Sequence, residues 1–139
     1  MQLLDPTDDD IKQLAEQWAF VRQTVERQYG TTLHQSLGDL AAIQRVLDDA
    51  IFAADDTWSL QSLGVAFGCV LANNVAGLDW AIVDDEYGRD PTIRYLDTSL
   101  VFNVLTMLSS RVEDGETVDV QFLFDELCAQ LEELKDQVD

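Results

Sequence analysis

The chain has 139 residues, 47% of them apolar, and 27 Asp and Glu against 8 Lys and Arg, for a formal net charge of −19 at pH 7. That apolar fraction supports one folded domain and excludes a disordered acidic tail. A field of this sign repels nucleic acid and anionic membranes and attracts basic partners.

The acidity belongs to no single tail: residues 1–57 hold 11 acids and 4 bases, and residues 58–139 hold 16 and 4. The opening MQLLDPTDDD lacks the basic and apolar stretches of a secretory leader. The longest apolar run, Leu63 to Ala72, is about half a membrane span. A soluble, cytoplasmic protein is expected.

Thr7-Asp8-Asp9-Asp10 has the form of a capping box at a helix start. The three aspartates invite a metal reading, but a helix N-terminus favours negative charge on its own account. Ile11, Leu14, Trp18, Val21, Val25 and Tyr29 then recur at three- and four-residue steps, predicting one apolar helix face that ends at Gly30. A second helix is predicted from Ser36, with Asp39 three residues on, burying Leu40, Ile43, Leu47 and Ile51.

The third helix is predicted over Thr57 to Asn74. Gly64 and Gly68 stand one turn apart in it and predict a shallow groove that another helix approaches closely. Each glycine costs about 1 kcal/mol of helix propensity relative to alanine, so tight packing should offset it. A phosphate loop is excluded, because no Lys-Ser/Thr follows and the glycines lie within the helix.

After Gly77 the period changes. Trp80, Ile82 and Asp84, then Ile93 and Tyr95, alternate around Asp85-Glu86-Tyr87-Gly88-Arg89-Asp90-Pro91, which reads as a β-hairpin with a longish acidic loop. A third strand is predicted at Ser99 to Phe102. Residues 103–113 fit strand or helix; a short helix ending near Arg111-Val112-Glu113 is favoured, with Asp114-Gly115 as a turn. The last helix is predicted from Asp119 to Lys135, with Val120, Leu123, Leu127, Leu131 and Leu134 inward. The whole reads as α+β: a mostly helical single domain over 1–139, with a small antiparallel sheet before the C-terminal helices. In this reading residues 1–56 form an N-terminal helical part.

Residue chemistry gives little support to an enzyme. His34 is the only histidine and sits in a polar loop, and neither Cys69 nor Cys128 has an activating base nearby in sequence. With three Cys and His residues in all, the sequence shows no zinc constellation, and no cofactor motif occurs. Both cysteines are expected as buried thiols, although sequence alone does not exclude a disulfide. An EF-hand register on Gly88 would put Val83 in the first ligand position and Arg94 in the last, so it fails. Paired carboxylates of the glycosidase kind are not singled out among so many acids.

Three stretches carry a resemblance: Leu60-x-x-Leu63-Gly64-x-x-x-Gly68, Gly77-Leu78-Asp79-Trp80-x-x-Val83-Asp84-Asp85 and Arg111-Val112-Glu113-x-Gly115-Glu116. Together they make residues 58 to 134 similar to a bacterial domain family of unknown function, in which a glycine-bearing helix leads into a short sheet and an arginine–glutamate turn. Asn103 departs from the pattern, standing where proline is expected after the strand. The resemblance implies a single α+β domain and no catalytic residues.

Function is therefore expected in binding. The leading expectation is an acidic immunity or inhibitor protein that neutralises a basic protein partner. The alternatives are a scaffold whose charge serves solubility, or adaptation to a saline host, which the bias of 19 Asp to 8 Glu would suit; a small hydrolase ranks last. The candidate contact is the outer stripe of the last helix. It comprises Asp125, Glu132, Asp136 and the tail Asp139, bordered by Glu126 and Glu133. The hairpin acids Asp84, Asp85, Glu86 and Asp90 are the second candidate.

Overall fold

The computed structural model describes residues 1–138, so Asp139 lies outside the described residues. In chain order the elements are β1 (Gln2–Leu4), α1 (Asp8–Tyr29), α2 (Asp39–Asp48), α3 (Thr57–Asn74), β2 (Leu78–Asp85) and β3 (Gly88–Tyr95). They continue with β4 (Val101–Phe102), α4 (Val104–Glu113), α5 (Val120–Leu134) and a 3-10 turn (Lys135–Gln137). This is a single α+β domain.

The capping box forms as the sequence indicates. The Thr7 hydroxyl accepts from the Asp10 N–H at 3.2 Å, and the Thr7 N–H donates to the Asp10 carboxylate at 2.8 Å. Gly30 closes α1 at φ +67. Leu14, Val21 and Val25 are buried and Trp18 and Tyr29 half-buried, but Ile11 is 54% exposed. The periodicity placed Ile11 inside because it cannot see where the neighbouring elements stop.

Two expectations about α2 need correction. Ser36 does not cap it: the helix starts at Asp39, and Gly38 before it supplies no side-chain cap. Asp39 instead turns its buried carboxylate back onto the loop, accepting from the N–H groups of His34 at 3.0 Å and Gln35 at 2.7 Å. Val46 is buried, while Leu47 and Ile51 are only half-buried.

The third helix sits at the centre, packed by α1, α2, α4 and the sheet. Its bounds match the expected ones, and Ser59, Leu60, the stretch 62–68, Val70 and Leu71 are buried. The two glycines have different neighbours. A Cβ on Gly64 would collide with the Val104 carbonyl oxygen, so this glycine admits the backbone of α4. A Cβ on Gly68 would lie 2.5 Å from the Trp80 indole. The expected helix-to-helix groove thus holds at Gly64, whereas Gly68 mainly receives a side chain from the sheet.

The sheet is antiparallel in the order β1-β2-β3-β4, with one strand more than expected. Residues 2–4 pair with Ile82–Asp84, so the N-terminal part is not wholly helical. Three residues are too few to show a period of two. The hairpin differs as well. Asp85 pairs with Gly88, which leaves only Glu86 and Tyr87 as the turn, and Gly88 takes φ +115. Pro91 suggested a long loop, yet it pairs opposite Ile82. It is tolerated because β4 reaches only Ile93 and Arg94 and asks no N–H of residue 91.

Residues 104–113 are helical, as favoured, and β4 is shorter than its expected range. Asn103 precedes α4 without capping it; its side-chain oxygen accepts from the Thr92 hydroxyl at 3.2 Å. On α5, Val120, Leu123, Leu127 and Leu131 are buried and Leu134 half-buried. Asp119 caps this helix, accepting from the Phe122 N–H at 3.0 Å.

Candidate binding surfaces

The sequence-predicted acids divide between two elements. Asp125, Glu126, Glu132 and Glu133 are exposed on α5, which packs on α2 through its opposite face. Asp136 is exposed too, but it belongs to the 3-10 turn and so leaves the 100° stripe of the helix. The row also contains its own cation. Lys135 Nζ donates to Glu132 at 2.9 Å, and this bond raises the lysine pKa.

What the sequence reading passed over is Phe122, which is 60% exposed on the same helix. Asp125 and Glu126 stand three and four residues on, so they flank the ring on one face. The available signal was an aromatic residue on the polar side of an amphipathic helix. The centre of this surface therefore moves from Glu132 and Asp136 toward Phe122.

The hairpin acids do not form a loop cluster. Asp84, Asp85 and Asp90 lie in the paired strands, and only Glu86 is in the turn, beside the 85% exposed Tyr87. Arg89 holds the hairpin to α1, with one guanidinium nitrogen 2.7 Å from Asp10 and another 3.8 Å from Asp84. The Asp10 carboxyl is held below the usual range, first by the Thr7 N–H, with burial opposing it next and Arg89 adding a smaller lowering. Asp10 and Asp84 are used internally, whereas Glu86 and Asp90 stay exposed.

Sequence reasoning also missed a groove of about 610 Å³ between α1, α3 and the start of β2. Ile11, Leu14 and Trp18 form one wall, and Cys69, Leu78 and Trp80 the other. Gly68 positions the Trp80 wall by admitting its indole. The Trp18 ring carries the Arg22 guanidinium 5.3 Å from its centroid, and its Nε1 is buried with no acceptor among the described residues. Trp18 and Trp80, 62 residues apart in sequence, line the same groove, which no local pattern could indicate.

Both cysteines are free and half-buried. Burial pushes the Cys69 thiol up to about 11 and also raises Cys128, so neither is an activated nucleophile. His34 is exposed. Among the described residues, no group of three or more His, Cys, Asp and Glu side chains could hold a metal ion. No helix among them is long and apolar enough to cross a membrane.

A family model, the domain of unknown function DUF3806, matches residues 39–124, and the chain belongs to that family. The match includes all three stretches on which the resemblance was drawn. A crystal structure of a protein from Bacteroides thetaiotaomicron VPI-5482, determined at 1.50 Å, superimposes with a TM-score of 0.85 at 20% identity. The alignment covers 91% of this chain and 47% of that one, so the chain spans about half the length of its structural neighbour. At that identity the likeness is one of fold. No curated protein matches.

Proposed function

We propose that this DUF3806 domain is a cytoplasmic, non-enzymatic acidic module that binds a basic protein partner, in the manner of an immunity or inhibitor protein. The observation that carries the reading is Phe122, 60% exposed between Asp125 and Glu126 on the outer face of α5. Interfaces concentrate their affinity in aromatic anchors ringed by polar groups, and complementary charge around such an anchor speeds encounter and selects the partner. Asp125 and Glu126, one turn on, place negative charge beside it, while Glu133 lies three turns along the helix and Glu132 is partly neutralised by Lys135. Asp136 extends the acidic surface past the helix end.

Affinity capture from the native host tests this with two baits, the wild type and Phe122→Ser combined with Asp125→Lys and Glu126→Lys. A basic protein retained by the wild type and lost by the variant supports the reading. Equal retention by both baits, or retention of acidic proteins only, contradicts it.

A further inference from the structure

The groove between α1, α3 and β2 holds hydrogen-bonding groups that the fold itself leaves unpaired. Gln35 lines it and takes φ +58, a left-handed backbone that a residue with a side chain adopts only when its surroundings impose it. Three contacts do so. The Gln35 N–H donates to the buried Asp39 carboxylate at 2.7 Å. Its carbonyl accepts from the Asn74 carboxamide at 2.9 Å, and its side-chain Oε1 accepts from the Asn73 carboxamide at 3.0 Å.

Asn73 lines the same groove. Its bond to Gln35 uses the Gln35 oxygen and the Asn73 nitrogen. Gln35 Nε2, a donor, and Asn73 Oδ1, an acceptor, are left with no partner among the described residues. The α1 wall adds a further donor, Trp18 Nε1, buried and without an acceptor among those residues. A buried donor left unpaired is costly, so an acceptor brought from outside the chain is favoured there.

The rest of the lining restricts what fits. No lysine, arginine or histidine lines the groove and the chain carries a net −19, so an anion is disfavoured. A cation is disfavoured too, because it brings only donors to the donors Trp18 Nε1 and Gln35 Nε2. The Trp18 ring also carries Arg22 already, 5.3 Å from its centroid. A neutral molecule remains. Trp80 offers it a flat apolar surface, and about 610 Å³ falls within the range of small-molecule sites. Carboxamides make their hydrogen bonds in one plane, which suits the edge of a flat ring better than hydroxyls arrayed around a puckered one.

We infer that this groove binds a neutral, planar heteroaromatic ring carrying a cyclic amide, the chemistry of an unphosphorylated purine or pyrimidine base. The ring N–H donates to Asn73 Oδ1 and the ring carbonyl accepts from Gln35 Nε2. One ring face lies against Trp80, and a further ring acceptor takes the Trp18 N–H. The site is separate from α5 and does not depend on the reading of that helix.

The probe is hypoxanthine, titrated against the full chain while the three tryptophan indole N–H signals are followed by proton NMR. Trp58 does not line the groove, and Trp58→Phe assigns its signal. The expected result is saturable movement of the Trp18 and Trp80 signals with that of Trp58 unmoved. 1-Methylhypoxanthine lacks the N–H beside the carbonyl and should bind about tenfold more weakly, the scale of one lost hydrogen bond. Gln35→Gly should weaken binding to a similar degree with a denaturant midpoint close to the wild type, since glycine adopts φ +58 without strain. Ile11→Arg, at an exposed position in the wall, should weaken it tenfold or more with folding intact. Inosine should bind more tightly than its 5′-monophosphate at about 0.05 M salt, where screening is weak. No signal movement at millimolar hypoxanthine overturns the inference, as does equal binding of the methylated base. So does a Gln35→Gly variant that binds as the wild type does. Tighter binding of the monophosphate would make this an anion site, and movement of the same signals by glucose but not by the base a sugar site; either result overturns the inference.

Discussion

Helices α3 and α5 show how differently this chain treats its inside and its outside. The first has no Asp, Glu, Lys or Arg in 18 residues and is enclosed on nearly every side. The second buries one stripe and turns Asp125, Glu126, Glu132 and Glu133 to solvent around an exposed phenylalanine. The difference sets an interior that carries stability apart from the surface proposed for recognition. Substitutions in α3 should change folding, and substitutions of the exposed α5 residues should change binding alone.

Gly64→Leu should break the first half of that statement most severely. Its side chain would meet the carbonyls of Val104 and Leu105, which belong to backbone and cannot swing aside. Overpacking typically costs about 1–3 kcal/mol and occasionally more; this position is expected at or above the upper end, read as a fall in denaturant midpoint. Gly68→Leu meets mainly the Trp80 indole and one methyl group of Val104. A loss of about 1–3 kcal/mol is expected there, smaller than at Gly64 because side chains can shift. A reversed order would show that α4 yields more readily than the indole does.

The interior was more legible in the sequence than the surface. An uncharged run with glycines one turn apart has few places to go except the core, so the bounds of α3 were readable from composition and period. The β1 strand was not, because its three residues are defined by what they pair with. The hairpin was placed correctly, but its turn was overlong, since Pro91 signals a loop until it is known that β4 stops short of it. The acids of α5 were legible as a helical stripe. Phe122 was visible as an exception to that stripe, while the Trp18–Trp80 groove depends wholly on tertiary structure.

Between the two extremes lies Tyr29, half-buried at the junction of α1 and α2. Its hydroxyl donates to Asp49 at 2.6 Å, and Arg45 stacks 4.0 Å from its ring centroid. Burial first, and then the Asp49 hydrogen bond, push its pKa up from 10.0 to about 12. The folded state therefore holds this proton more tightly than the unfolded state. Its contribution is complete below pH 10 and lost as pH rises from about 10 to about 12. Absorbance titration should show one of the three tyrosines ionising late, and Tyr29→Phe should remove that step and lessen the fall in stability across the window, where the raised Cys69 thiol also titrates. A late step that survives in Tyr29→Phe would assign it elsewhere.

Phe122→Ser should have the smallest effect on folding. The ring is mostly in water already, so stability should stay within about 0.5 kcal/mol of the wild type. Any larger loss would place Phe122 in the core's service and weaken the division between the two helices.

The central claim is tested most directly by association kinetics with the captured basic partner, at about 0.05 M and 0.2 M salt, spanning screening lengths from above 10 Å to below it. The account predicts that Asp125→Lys with Glu126→Lys slows association several-fold at the lower salt and much less at the higher, with an unchanged denaturant midpoint. Adding Glu132→Lys and Asp136→Lys should slow it further. An association rate unchanged by these reversals at both salts would contradict the account and remove α5 from the interface.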